Sequence, residues 1–116
     1  MKFLCLAYGR EEDWLVLSES QRSELLAQDD MLRQRGAFIS VVGDPTVVRT
    51  PAGTPHTSPG PFATAGAPLV GFSLLEAVDL DEAVRLVAHT PCAVAGGAIE
   101  VRSLPDPVPT NDAHAH

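Results

Sequence analysis

The sequence predicts an α+β sandwich in which two helices cover one face of an antiparallel sheet. Segments with strand and helix signals follow one another in the order strand, helix, strand, hairpin, strand, helix, strand. The two helical segments are of comparable weight, and the long strand segments are apolar on both sides, so both faces of the sheet need cover. This order is typical of a ferredoxin-like fold. At 116 residues the chain fits one domain.

The first strand and the first helix carry clear local signals. KFLCLAY, residues 2–8, is apolar at nearly every position and therefore reads as a strand buried on both faces. The helix that follows has Ser18 as N-cap with Gln21 three residues later, the pattern of a capping box. Gly36 is expected to stop it after about five turns.

The middle of the chain reads as strands joined by a hairpin. AFISVVG, residues 37–43, predicts the second strand, and TVVRTPAGTPHTS, residues 46–58, predicts a hairpin with Pro51-Ala52-Gly53 at its tip. LVGFSLLEAV, residues 69–78, predicts a further strand that is apolar on both sides. AIEVRSL, residues 98–104, completes the predicted sheet.

A second helix is predicted from Leu80 to about His89, with Asp79 as N-cap and Glu82 closing another capping box. Its apolar positions follow helical spacing, which predicts a stripe that lies on the sheet. The stripe consists of Leu80, Ala83, Val84 and Val87.

The sheet face opposite the helices still carries Leu, Val and Phe side chains. In a monomer this face would be an exposed apolar patch well above a few hundred Å². The sequence therefore predicts a homodimer that forms through this face.

Composition restricts the partners and the compartment. The formal net charge is -7, from 15 acidic and eight basic residues without a basic cluster, so a nucleic-acid partner is not expected. The apolar run in MKFLCLAYGREED is too short for a signal peptide or a membrane span, which predicts a cytoplasmic protein without membrane association. In that compartment Cys5 and Cys92 are expected to be buried thiols rather than a disulfide.

The last twelve residues differ from the rest. Residues 105–116 have no apolar periodicity and contain three prolines. We expect one folded domain over residues 1–104, followed by a flexible tail over residues 105–116.

The stretch TSPGPFATAGAPLVGFSLLEA resembles a segment of the YCII-related proteins, in which a Thr-Asp-Gly-Pro-Phe motif leads into a Gly-Phe strand. Ser58, Gly60, Pro61 and Phe62 stand at motif positions, and Pro59 stands where the family usually has aspartate. The stretches MKFLCLAYG, EEDW, DLDEAVRLVAHTP and GAIEVRSL add to the resemblance, which covers residues 1–104. It implies a ferredoxin-like fold whose sheets pair into a dimeric α/β barrel.

The motif loop also has a physical interpretation. Pro59 and Pro61 fix φ and remove backbone donors, while Gly60 permits conformations closed to other residues. The loop is therefore expected to be a rigid crossover from the hairpin into the next strand, with Phe62 as its anchor. A second possibility is that it forms a wall of a small-molecule pocket.

The resemblance bears on function through a missing pair of residues. Some family members use a histidine early in the first helix with an aspartate near its end, and these places fall near Leu25 and Gln34 here. Neither side chain moves a proton at neutral pH. The favoured function is therefore small-molecule binding or an auxiliary role.

Two alternatives remain open. One is an enzyme acting on a small aromatic or acidic metabolite in the dimer cleft. The other is a protein-interaction module, because family members are often encoded beside alternative sigma factors.

Three residues are candidates for proton transfer. His89 ends the second helix, although an imidazole there also complements the helix dipole. Asp29 adjoins the Leu25 and Leu32 side of the first helix, where burial would raise the pKa of its carboxyl group. Tyr8 ends the first strand and has an aromatic ring with a polar tip.

The candidate ligand-binding residues are aromatic or basic. Tyr8 and Trp14 offer a stacking surface, and Arg49 could pair with an anionic ligand or with Asp44. With Phe62 and His89 added, the set is Tyr8, Trp14, Arg49, Phe62 and His89. The sequence has no Gly-rich phosphate loop and no set of cysteine and histidine ligands, so neither a cofactor nor a metal is expected.

Overall fold

The computed structural model describes residues 1–105, and the predicted tail, residues 105–116, lies almost entirely outside them. The strands are β1 (Lys2–Tyr8), β2 (Phe38–Val41), β3 (Thr46–Arg49), β4 (His56–Pro59), β5 (Leu69–Glu76) and β6 (Ala98–Leu104). The helices are α1 (Glu11–Leu15), α2 (Glu19–Gln34), α3 (Leu80–Val87) and α4 (Pro91–Val94). A 3₁₀ turn, Pro51–Gly53, joins β3 to β4.

The main sheet has four strands in the order β2-β5-β1-β6, and every neighbouring pair is antiparallel. β3 and β4 form a separate two-stranded hairpin. This element order and strand order confirm the predicted α+β, ferredoxin-like architecture. We refer to residues 46–59 as the hairpin arm.

The two faces of the sheet follow the alternation of β1. Phe3 and Cys5 point to the helix side, where they join Leu75 of β5 and Ala83 and Val87 of α3 in the buried core. The intervening leucines of β1 are only half-buried and point to the other side, which we call the open face. Because β1 lies between β5 and β6 in the sheet, both of its faces are apolar, as predicted.

The capping signals of α2 act as the sequence predicts. The Ser18 hydroxyl accepts from the Gln21 backbone N–H at 3.1 Å, and the Gln21 side chain accepts from the Ser18 N–H at 2.8 Å. The chain leaves the helix through Gly36, whose φ of 95° is open to glycine at little cost. Leu25 and Leu32 are the buried residues of this helix.

The second helix is shorter than predicted. Asp79 caps it by accepting from the Glu82 N–H at 2.9 Å, but α3 ends at Val87 and not at His89. The buried Thr90 hydroxyl donates to the Val87 carbonyl at 2.6 Å, and Pro91 then opens α4. This hydrogen bond and the proline explain the earlier end.

The predicted apolar stripe on α3 is half wrong. Ala83 and Val87 are buried, but Leu80 and Val84 are 53% and 47% exposed. Leu86 packs against the core instead. The helix therefore presents the side that contains Ala83, Leu86 and Val87, so the buried side is rotated from the one that simple spacing favours.

Two short helices were not predicted, and both flank the end of β1. α1 begins two residues after Gly9, and α4 contacts α2, β1 and β6. The Gly9 N–H donates to the Pro68 carbonyl at 3.0 Å, which holds the start of this segment against the chain that enters β5. Within residues 1–105, no helix is both long and apolar enough to cross a membrane.

Candidate functional site

A cavity of about 530 Å³ lies on the helix side of the sheet, beside α2 and the two short helices. Its wall includes apolar side chains from several elements, such as Leu32 of α2, Ile39 of β2 and Val87 of α3. We call this space the α2 cavity. Polar groups are few in its wall, and the residues that could contact a ligand through polar or aromatic groups include Arg10, Trp14, Asp29, Arg33 and Cys92.

Asp29 is the half-buried acid of the α2 cavity. Burial raises the pKa of its carboxyl group; the Arg33 charge opposes this effect, and the Asp30 charge adds to it. Arg33 itself forms an ion pair with Asp30, at 3.0 Å. A larger share of the Asp29 carboxyl groups is therefore protonated than in an exposed aspartate at the same pH.

Helix α1 places two further side chains at the cavity. Trp14 is half-buried, and Arg10, the residue that precedes the helix, is exposed; both line the cavity. The aromatic ring supplies a large flat surface, and the guanidinium group supplies five fixed donors. Asp29 lines the cavity from α2, so the cavity wall combines contributions from two parts of the chain.

Both cysteines line the α2 cavity and both are free thiols. Burial raises the pKa of the Cys5 thiol, against a hydrogen bond with Ser73 that lowers it. Burial also raises the pKa of the Cys92 thiol, and the Asp29 charge raises it further. Because a thiolate is the nucleophilic form, neither cysteine is activated by its surroundings.

Comparison with known families decides what kind of domain contains this cavity. The family model of the YCII-related domain matches residues 1–106. The chain belongs to the YCII-related family. No curated protein matches the sequence.

One solved structure with a similar chain is 5-chloro-2-hydroxyhydroquinone dehydrochlorinase from Burkholderia phenoliruptrix AC1100, in complex with 2,5-dihydroxybenzoquinone. Sequence identity is 19%, and the match covers 89% of this chain and 92% of that chain, with a TM-score of 0.48.

In this YCII-related domain, Leu25 and Gln34 stand where some family members have a histidine and an aspartate, and the two positions differ in their surroundings. Leu25 is buried on α2, and Gln34 is exposed at the end of the same helix. Neither residue lines the cavity. Asp29 follows Leu25 by four positions, so both lie on the same side of α2.

Of the candidates predicted from the sequence, the α2 cavity brings together only Asp29 and Trp14. Tyr8 is half-buried and is not part of the cavity wall. His89 is exposed beyond the end of α3 and does not line the cavity either. The predicted stacking pair of Tyr8 and Trp14 is therefore not brought together in this cavity.

The remaining two candidates lie on or beside the hairpin arm. The Arg49 guanidinium carbon is 4.9 Å from the ring centre of Phe62, a cation–π contact, and no ion pair joins Arg49 to Asp44 within residues 1–105. Phe62 is 71% exposed, so it does not anchor the motif loop in the core. Both residues border a second, more open hollow of about 570 Å³.

Sequence reasoning did not identify Arg10 or Cys92 as residues of a site. Arg10 lies two residues beyond the end of the first strand, and Cys92 follows the Thr90-Pro91 pair that opens α4. Polar residues just after a strand often line sites, so Arg10 carried a weak signal; Cys92 had none, because α4 itself was not predicted. Among residues 1–105, no three His, Cys, Asp or Glu side chains are grouped so that they could hold a metal ion.

Proposed function

We propose that this YCII-related protein binds a small, largely apolar or aromatic metabolite in the α2 cavity, where Asp29 meets a polar group of the ligand. The observation that carries this proposal is the position of a half-buried carboxyl group and of Trp14 in the wall of one cavity.

The size and the lining of the cavity support a small-molecule ligand. Ligand pockets commonly enclose about 300–1,000 Å³ and combine apolar walls with a few placed polar groups. The α2 cavity, at about 530 Å³, falls in this range. Its apolar wall would remove a ring or a short hydrocarbon from water, and the polar groups would fix its orientation.

Asp29 also supports the enzyme alternative. A carboxyl group whose pKa is raised by burial holds a proton closer to neutral pH than an exposed carboxyl group does. Such a group donates a hydrogen bond when protonated, and it transfers a proton when the ligand has an acidic or basic centre in reach. An enzyme of this kind would use Asp29 as its general acid or base.

Trp14 provides the test of binding. It is the only tryptophan of the chain, so the intrinsic tryptophan fluorescence reports on the α2 cavity. We expect phenol, benzamide or benzoate to change this fluorescence saturably and to raise the melting temperature, because a ligand of the native state stabilises it. The absence of both effects for all three compounds would contradict the proposal.

The variant Asp29→Asn separates binding from catalysis. Asparagine has nearly the same shape but has no proton to transfer. If the protein only binds its ligand, the variant changes affinity. If the protein is an enzyme, the variant keeps most of the affinity for a converted compound and loses its turnover. Gln34→Ala, which alters an exposed side chain outside the cavity, is the matched control.

We further propose that two copies associate through the open face to form a dimeric α/β barrel. Phe38 and Leu74 are 58% and 40% exposed on this face, and the rings of Phe38 and Phe72 lie 5.8 Å apart. Paired positions place Leu4 beside Leu74 and Leu6 beside Phe72. The same apolar surface on a second copy would cover these side chains in a symmetric interface.

A further inference from the structure

We propose that Arg10 recognises an anionic group on the ligand of the α2 cavity, so that the ligand is a small aromatic or apolar carboxylate. This inference rests on the proposed binding function and adds the charge of the ligand. It starts from the two arginines that line the cavity, Arg10 and Arg33.

Only one of these arginines has a free guanidinium group. Arg33 donates to Asp30 at 3.0 Å and is engaged in that ion pair. Arg10, in contrast, forms no ion pair and no side-chain hydrogen bond with any of residues 1–105. Its five donors are therefore available to a ligand.

The backbone of Arg10 is held by hydrogen bonds on both sides of the residue. It lies between Gly9, which is buried and donates to the Pro68 carbonyl, and the first turn of α1. Trp14, four positions later, lines the same cavity. The structure therefore places an aromatic surface and a guanidinium group of the same short segment on the wall of one cavity, where a ring on Trp14 would offer its substituents to Arg10.

The negative net charge of the whole chain makes the two arginines at this cavity informative about the charge of the ligand. With a net charge of -7, the protein as a whole repels anions. Only eight of its 116 residues are basic, yet two of them line this cavity. The acids that line it are Glu11, which is exposed on α1, and Asp29. The raised pKa of Asp29 reduces its repulsion of an anionic ligand.

The two polar groups complement different parts of such a ligand. A guanidinium fork matches the two oxygens of a carboxylate and binds them in a bidentate manner. Asp29, on α2, would then meet a hydroxyl or a similar group at another point of the ring. The apolar residues between them suit the ring itself.

The experiment compares benzoate with benzamide, two probes of nearly equal shape that differ in charge. Isothermal titration calorimetry measures both dissociation constants for the wild type, for Arg10→Gln and for Arg35→Gln. Arg35 follows α2, is exposed and does not line the cavity, so its variant controls for the loss of one positive charge. Circular dichroism establishes that each variant is folded.

We expect the wild type to bind benzoate about 10-fold more tightly than benzamide, a difference of about 1.4 kcal/mol. Arg10→Gln should remove this preference and leave the affinity for benzamide unchanged. Arg35→Gln should keep it. If Arg10→Gln does not fold, Arg10→Lys serves instead; it keeps the charge but loses the fork, and it should lose part of the preference.

Two results would overturn the inference while the binding function stands. One is equal affinity of the wild type for both probes, and the other is an unchanged preference in the Arg10 variants. A wild type that binds phenol but neither of these probes would also overturn the inference alone, whereas a wild type that binds none of the three compounds would contradict the binding function itself.

Discussion

At the scale of single residues, Asp29 makes the stability of the protein depend on pH. The pKa of this carboxyl group is raised above its ordinary value of 3.8, so the folded state binds the proton more tightly than the unfolded state. Its contribution to stability is fully present below the unfolded pKa, and it is lost as the pH rises through the folded pKa.

Asp29→Asn should therefore remove the loss of melting temperature with rising pH that Asp29 contributes from its unfolded pKa upwards. Between the unfolded and the folded pKa of Asp29, this residue makes the wild type less stable as the pH rises. The variant has no ionisable group at position 29 and lacks this effect. Thermal unfolding from pH 3.5 to 7 measures the difference. Gln34→Ala, which alters an exposed uncharged side chain of the same helix, should leave the slope unchanged. If the melting temperature of Asp29→Asn changes with pH as that of the wild type does, burial of the Asp29 carboxyl group has no energetic effect.

Gly60, in the motif loop, is required for a reason that differs from the one the sequence indicates. Its φ is not in the positive range that favours glycine. A Cβ atom at this position would instead lie 2.6 Å from Cγ2 of Val47, on the facing strand of the hairpin arm. The side chain is therefore excluded by a neighbour and not by the backbone conformation.

Gly60→Ala should destabilise the hairpin arm by about 1–3 kcal/mol, the usual cost of overpacking. The second substitution Val47→Ala removes the clashing methyl group and should restore most of the loss. Amide hydrogen exchange of residues 46–59 measures both effects locally. If the two substitutions act additively, contact with Val47 is not the reason for the glycine.

At the scale of elements, the sequence best predicts the helices and strands whose boundaries are marked by capping or stop residues within the same segment. The boundaries of α2 follow from Ser18, Gln21 and Gly36, which act locally and do not depend on the rest of the fold. α1 and α4 span only five and four residues, too short for a periodic pattern, and α4 contacts α2, β1 and β6 in the folded chain. The α2 cavity could not be predicted for this reason, since both helices help to line it.

The cap of α2 can be tested directly. Ser18→Ala removes the hydroxyl that accepts from the Gln21 N–H, and it should lower the free energy of unfolding by about 1 kcal/mol. Urea denaturation measures this change. Ser23→Ala, at an exposed position inside the helix, is the control, and it should leave stability unchanged or slightly higher. An equal loss in both variants would mean that the cap is not the cause.

At the scale of the whole molecule, the candidate site depends on which residues different elements bring together. The sequence indicates Asp29 because this residue neighbours the apolar side of its own helix, which is a local property. It indicates Tyr8 and His89 by residue type alone, and Tyr8 occupies the last position of β1, whereas His89 lies beyond the end of α3. The sequence indicates the chemistry of a side chain, whereas only the fold shows which cavity it reaches.

The open face supports the last prediction, that the protein is a homodimer at micromolar concentration. Leu74 is 40% exposed on the central strand β5, and it pairs with Leu4 on one side and with Phe38 on the other. Leu74→Asp places a charge in the middle of this apolar face, where a dimer would have to remove it from water. Sedimentation velocity should show a dimer for the wild type and a monomer for the variant.

Val84→Asp tests whether any new charge has this effect. Val84 is 47% exposed on α3, on the other side of the sheet, and its variant should remain dimeric. A monomeric wild type would contradict the dimer. A dimer that survives Leu74→Asp but dissociates with Val84→Asp would place the interface on the helices, and the open face would then need another partner to cover its apolar side chains.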